Sequence, residues 1–227
     1  MEKFQMYTKP WIKTEPVADK KKRATQIVRV LTKTYPNAKI ALKYGNNIQL
    51  LVAVILSAQC TDKKVNEVTV PLFKKYKTAK DFAHAKPSLF EREIRPSGFY
   101  HAKTKHIIRA CKKIQDTFNG KLPHTMQDLL TLPGVARKTA NVVLGNAYGV
   151  VEGIAIDTHM IRLSQRLGFT KQTDPVKIEK DLMTLFPKKN WFSLTYRLIN
   201  HGRAICIAQR PKCVECPLNK LCPSALV

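Results

Sequence analysis

The sequence predicts an all-α fold, and three observations carry that expectation. Apolar residues recur at i, i+3, i+4 and i+7 along most of the chain, as helices with one buried face require. The joints between these stretches carry capping and stop signals, such as Asp174-Pro175 ahead of one and Asn119-Gly120 behind another. No run of alternating apolar and polar residues is long enough for a sheet, and neither an internal repeat nor a low-complexity tract breaks the pattern.

The elements follow in order. Residues 1–19 contain Pro10, Pro16 and mixed charges without periodicity, and read as a flexible basic tail. Residues 20–34 predict a basic helix with Ile27, Val30 and Leu31 on one face. Residues 47–58 form an apolar helix, and 61–76 an amphipathic one interrupted by Pro71. In 103–118, Ile107, Ile108, Cys111 and Ile114 are in register, and Asn119-Gly120 stops the helix. Residues 157–167 are helical up to Gly168, and Asp174-Pro175 opens a helix whose inward stripe is Ile178, Leu182 and Leu185.

Composition bounds the partners. Forty Lys and Arg against sixteen Asp and Glu give a net charge of +24 over 227 residues, with 44% hydrophobic residues. A globular chain with that excess attracts polyanions, nucleic acid first. The basic residues are spread over mixed helices rather than gathered on one amphipathic stretch, which argues against a membrane surface. The longest apolar run, around residues 50–56, is far short of the roughly 20 residues a bilayer span needs. The first six residues lack the apolar core of a secretory signal. The chain is therefore expected in the cytoplasm, associated with the nucleoid if bacterial, where thiols stay reduced and six cysteines point to metal or to burial.

Four of those cysteines, Cys206, Cys213, Cys216 and Cys222, are spaced C-x6-C-x2-C-x5-C within seventeen residues. Four thiolates so close in sequence can converge on one metal centre with little loop-closure entropy. Zinc and a [4Fe–4S] cluster both accept four cysteines, but zinc ribbons pair two C-x2-C knuckles and this chain has one. Cys60 and Cys111 each lie in an apolar helix and read as buried packing residues.

The most informative stretch is Leu132-Pro133-Gly134-Val135-Ala136-Arg137-Lys138-Thr139-Ala140. Pro133-Gly134 signals a tight turn, and beyond it Ala140, Val143, Leu144 and Ala147 mark one buried helix face. The free N–H groups of that helix start, at the positive end of its dipole, suit a phosphate, and Lys138 sits in the first turn. A second motif, Ile154-Ala155-Ile156-Asp157-Thr158-His159, is an apolar run ending in a carboxylate at a helix start, where Asp also serves as an ordinary cap.

Together these motifs resemble the helix-hairpin-helix base-excision DNA glycosylases, and specifically the endonuclease III family. The resemblance runs over residues 20–222. It comprises Leu56-Ser57-Ala58-Gln59-Cys60-Thr61-Asp62, Ser97-Gly98-Phe99-Tyr100, the hairpin, the Asp157 motif and the cysteine spacing, which matches the family's [4Fe–4S] loop in all four positions. It implies two helical domains with a DNA cleft between them. Residues 40–150 would be a six-helix barrel containing the hairpin, and 20–39 with 151–227 an iron–sulfur domain. Lys138 and Asp157 would face each other across the cleft. Lys138 would attack C1′ of a damaged nucleotide, an oxidised pyrimidine above all, and form a Schiff base, after which β-elimination nicks the strand. Asp157 would stabilise positive charge at C1′ or deprotonate the lysine. Because a base inside a duplex is unreachable, the nucleotide must be flipped out. Gln59 would then enter the vacated stack and Phe99 act as the apolar wedge, where the family usually has leucine. Gly134, Ala136, Arg137 and His159 would contact DNA, and the segment between residues 203 and 220 would present basic side chains to the backbone. Ala136 departs from the family's second hairpin glycine. The expected partner is double-stranded DNA with damaged bases or abasic sites, bound by a monomer.

Three other functions share some of these features. A monofunctional glycosylase using water lacks the hairpin lysine that this chain has at Lys138. A non-catalytic helix-hairpin-helix DNA-binding protein would need neither Lys138 nor Asp157 nor Gln59. An iron–sulfur electron carrier would leave the hairpin and the charge of +24 without a purpose.

Overall fold

The structure, a computed structural model, describes residues 8–227. Among these residues there are eleven α-helices and no strand: α1 (Val17–Thr34), α2 (Asn47–Leu56), α3 (Asp62–Lys75), α4 (Ala79–Ala83), α5 (Pro87–Ile94), α6 (Tyr100–Thr117), α7 (Met126–Leu130), α8 (Arg137–Tyr148), α9 (Thr158–Arg166), α10 (Pro175–Leu185) and α11 (Lys188–Ala204). No helix among them is long and apolar enough to cross a membrane. The chain divides into two compact units, Ile40–Glu152 and the described residues up to Lys39 together with Gly153–Val227.

The Ile40–Glu152 unit is built around α2, whose residues from Ile48 to Leu56 are all buried. A helix apolar on every side is stable only when covered on every side, and α8 and α6 pack on it. Asn46 caps α2 by accepting the Gln49 N–H at 3.0 Å. The buried Gln49 amide is satisfied by the carbonyls of Phe73 and Tyr76, each at 3.1 Å. Tyr76, Phe82 and Phe90 form an aromatic cluster beneath α4 and α5, with Tyr76 stacked on Phe82 at 5.3 Å and Phe90 edge-on to both. Both short helices lie on α6. Pro71 does not interrupt α3. It lies on the exposed face, so the Glu67 carbonyl it leaves without a helical donor faces solvent while Val65, Val68 and Leu72 keep their buried register. Cys60 belongs to the turn after α2 rather than to a helix.

In the second unit α1 packs on α10 and α11, and α9 on the same two helices. Ile27, Leu31, Ile178, Leu182, Leu194 and Leu198 form its core. Residues 8–19 correct the expectation of a flexible tail; residues 1–7 lie outside the described residues. Pro10–Lys13 is a 3₁₀ turn, and α1 starts at Val17. The segment is held by a ring contact, an ion pair and backbone pairing, none of which leaves a periodic signal. The Arg23 guanidinium lies 5.2 Å from the Trp11 ring and makes a bidentate pair with Glu15 at 2.7 and 2.8 Å. Lys9 N–H donates to the Pro223 carbonyl at 2.9 Å.

Candidate active site and cluster-binding loop

The hairpin joins α7 to α8. Val135 N–H closes the turn on the Leu132 carbonyl at 3.1 Å, and Gly134 has φ +80°, as the third residue of a type II turn requires. Leu132 and Val135 are buried in the core and anchor the loop from below. A Cβ on Gly134 would stand 2.7 Å from the His106 Cβ of α6, so glycine also permits this close approach. Ala136 occupies the cap position of α8 and offers no side-chain acceptor. The first-turn N–H groups of α8 thus lack a side-chain cap, as do those of α1, α5, α6 and α11. Lys138 projects from this turn and is exposed, with the partly buried Arg137 beside it. N–H groups without a side-chain cap, a positive dipole end and two basic side chains suit an anion, with an amine beside it.

Asp157 caps α9, its Oδ1 accepting the Met160 N–H at 2.8 Å. His159, in the first turn of α9, is partly buried. Its Nδ1 meets Arg162 Nη2 at 3.1 Å, and the same guanidinium donates to the carbonyls of Gly202 and Cys206, each at 3.2 Å. Gly202 leaves room for this packing, because a Cβ there would be 2.9 Å from His159 Nδ1. His159 is thereby tied to α11 and to the start of the cysteine loop.

Gln59 and Phe99 share an uncommon backbone state. Both are left-handed, at φ 51° and 49°, a region non-glycine residues seldom occupy. Gln59 sits in the turn closed by Cys60 N–H on the Ser57 carbonyl at 3.2 Å, and Phe99 precedes α6. Both are exposed, Phe99 at 64%. An exposed phenylalanine on a strained turn has no packing reason to be there, which makes both positions candidates for function.

The four cysteines Cys206, Cys213, Cys216 and Cys222 all line one cavity of about 20 Å³, together with Leu163, Arg166, His201 and Leu218. None is in a disulfide. Among the described residues no three His, Cys, Asp or Glu side chains stand close enough to hold a single metal ion. Four cysteine thiols around one cavity are the donor set that a [4Fe–4S] cluster takes. The surround is built to fix the ligands. Arg166 donates to the Cys206 Sγ at 3.4 Å and to the carbonyls of Ile207 and Ala208 at 2.8 and 2.6 Å. His201 Nε2 lies 3.5 Å from the Cys216 Sγ, and its Nδ1 lies 3.3 Å from the Tyr35 hydroxyl. Burial pulls His201 down to about 4, leaving it neutral, and pushes the free thiols of Cys216 and Cys222 up to about 11 and 12. Arg166 and His201 were not singled out from the sequence, since their roles depend on which distant carbonyls and sulfurs the fold brings to them.

Residues 52–188 match the model of the HhH-GPD superfamily of base excision DNA repair proteins, and residues 206–222 that of the iron–sulfur binding domain of endonuclease III. The chain is 53% identical over 209 residues to endonuclease III of Synechocystis sp., covering 92% of this chain and 95% of that one. Among solved structures it is similar to a non-covalent endonuclease III–DNA complex and to a trapped endonuclease III–DNA covalent intermediate. Each has a TM-score of 0.86 and 42% identity, covering 90% of this chain and 96% of the other. The four-cysteine loop is accordingly a [4Fe–4S] site. With its fold, its hairpin and its cysteine loop all accounted for, the chain belongs to the endonuclease III family of the HhH-GPD superfamily.

Proposed function

We propose that this chain is a bifunctional DNA glycosylase and abasic-site lyase of base excision repair, with Lys138 as its nucleophile, Asp157 as its carboxylate and oxidised pyrimidines as its substrates. The observation that carries this reading is the exposed amine of Lys138 on the first turn of an α8 that has no side-chain cap. A DNA phosphate completes the cap, and binding there brings the sugar to the amine.

Lys138 Nζ attacks C1′, and the glycosidic bond breaks with its electron pair leaving on the base, which takes up a proton. Asp157 Oδ1 is engaged by the Met160 N–H, and Oδ2 is left to stabilise the positive charge that develops at C1′. Ring opening gives the imine. Loss of a C2′ proton then expels the 3′ phosphate, and water releases the unsaturated sugar from the lysine. Gln59 and Phe99 fill the space that the flipped nucleotide leaves. Gly134, Ala136 and Arg137 grip the phosphate backbone, and His159 holds Arg162 against the cysteine loop beside the DNA-facing segment. Cys206, Cys213, Cys216 and Cys222 hold the cluster, which fixes a basic loop in place. The enzyme acts as a monomer on double-stranded DNA.

The test is product analysis on an end-labelled duplex carrying one thymine glycol. A strand nicked without alkali, ending in an unsaturated aldehyde, supports the reading. An abasic strand that breaks only in hot alkali would assign the reaction to water. Tight binding without base release would leave a binding protein.

A further inference from the structure

Lys103 lies on the buried face of α6, in register with Ile107, Ala110, Cys111 and Ile114, and is only 4% exposed. A lysine ammonium at such depth is costly unless its donors are used. Its Nζ donates to the Leu56 carbonyl at 2.8 Å and to the Ser97 carbonyl at 2.7 Å. Its own backbone N–H donates to the Phe99 carbonyl at 3.0 Å. Leu56 ends α2, three residues before Gln59, and Ser97 stands two residues before Phe99. One side chain therefore ties the roots of the two exposed turns whose tips, Gln59 and Phe99, are both left-handed.

We infer that Lys103 is a positioning residue for strand opening: its buried ammonium clamps the Gln59 and Phe99 turns into one rigid two-pronged element that enters the base stack as a unit. This rests on the reading of Gln59 and Phe99 as the inserting residues. The clamp uses charge-assisted bonds, the stronger class, and leaves no route for one turn to move without breaking a bond that the other shares. Neither turn can relax its left-handed residue while its root is fixed, so the prongs are set before DNA arrives and little ordering remains at binding. Burial lowers the Lys103 ammonium from its ordinary value, with a smaller opposing effect from the nearby Cys60. The exposed Lys138, and not this amine, remains the nucleophile of the proposed chemistry.

The experiment compares wild type, Lys103→Met and the double variant Gln59→Ala/Phe99→Ala. It uses a thymine glycol duplex with 2-aminopurine beside the orphan base, and a single strand bearing an abasic site. Fluorescence reports unstacking on the duplex, and borohydride trapping reports Schiff-base formation on the single strand, where no stack has to be opened. Lys103→Met is expected to slow duplex unstacking about tenfold or more, because two carbonyls lose their donor. Trapping on the single strand should change less than about twofold, and Lys103→Met added to the double variant should cost nothing further. Equal losses on both substrates, or unstacking at the wild-type rate, would overturn the inference. If the double variant also unstacks the duplex normally, the insertion reading itself has failed; if it is slow while Lys103→Met is normal, only the clamp has. Should Lys103→Met not be recovered folded, Lys103→Gln, which keeps amide donors but not the charge or the reach, is held to the same duplex-selective loss.

Discussion

Asp157 caps a helix and is also used by the proposed chemistry, and a substitution separates the two roles. Its Oδ1 caps α9 through the Met160 N–H, and the proposed chemistry uses the other oxygen. Asparagine caps a helix about as well as aspartate but carries no charge. Asp157→Asn should therefore unfold within about 0.5 kcal/mol of wild type, while its single-turnover base release falls on the order of a hundredfold or more. Urea unfolding and a rapid-quench assay check the two halves, and a parallel loss of both would reduce Asp157 to a cap. Asp157 and Lys138 were visible in the sequence because each sits beside a strong local signal, a cap position and a Pro-Gly turn. Lys103 was not, although its place in the apolar register of α6 was a clue. Its partners, Leu56 and Ser97, lie 47 and 6 residues away, and no local pattern encodes which carbonyls will meet an ammonium.

At the scale of elements, the hairpin and the cysteine loop each depend on a local feature that can be removed. Gly134 is held at φ +80° with His106 behind it. Gly134→Ala should cost about 2 kcal/mol or more from left-handed strain and crowding, and should weaken binding to an abasic duplex by displacing the first turn of α8. Chemical denaturation and a binding titration read the two effects. In the cysteine loop the four thiols would hold the cluster, beside a cavity that Arg166 and His201 also line. Removing it with a chelator and oxidant should bleach the visible absorbance and open residues 206–222 to protease, while fragments from the Ile40–Glu152 unit persist. A loop equally resistant without the cluster would make the metal dispensable for folding. Longer helices whose apolar stripe is bounded by a start or stop signal were legible, as Asp174-Pro175 before α10 and Asn119-Gly120 after α6 demonstrate. The five-residue α4 and α7 were not, since a single turn is stabilised by what it packs on rather than by its own periodicity, and neither were α5 and the 17-residue α11, which open without a side-chain cap. Pro71 misled because the sequence cannot tell that its lost bond faces solvent.

For the molecule as a whole, the charge of +24 sets the energetics of its encounter with DNA. Binding to duplex DNA should weaken steeply with salt, by about 0.9 log units per log unit of salt for each phosphate neutralised. A log–log slope of several is expected from titrations at a series of salt concentrations, and a nearly flat line would detach the charge from function. The all-helical class was readable from periodicity alone. The packing of residues 8–19 was not, because the Trp11–Arg23–Glu15 contacts join side chains without leaving a pattern in sequence. The central claim remains chemical and is tested most directly by borohydride trapping on a thymine glycol duplex, with wild type and Lys138→Gln side by side and the adduct mapped by peptide mass. The account predicts a covalent adduct in wild type, a sugar remnant on Lys138 and no adduct in the variant. An adduct that persists in Lys138→Gln, or that maps to a different amine, would contradict it.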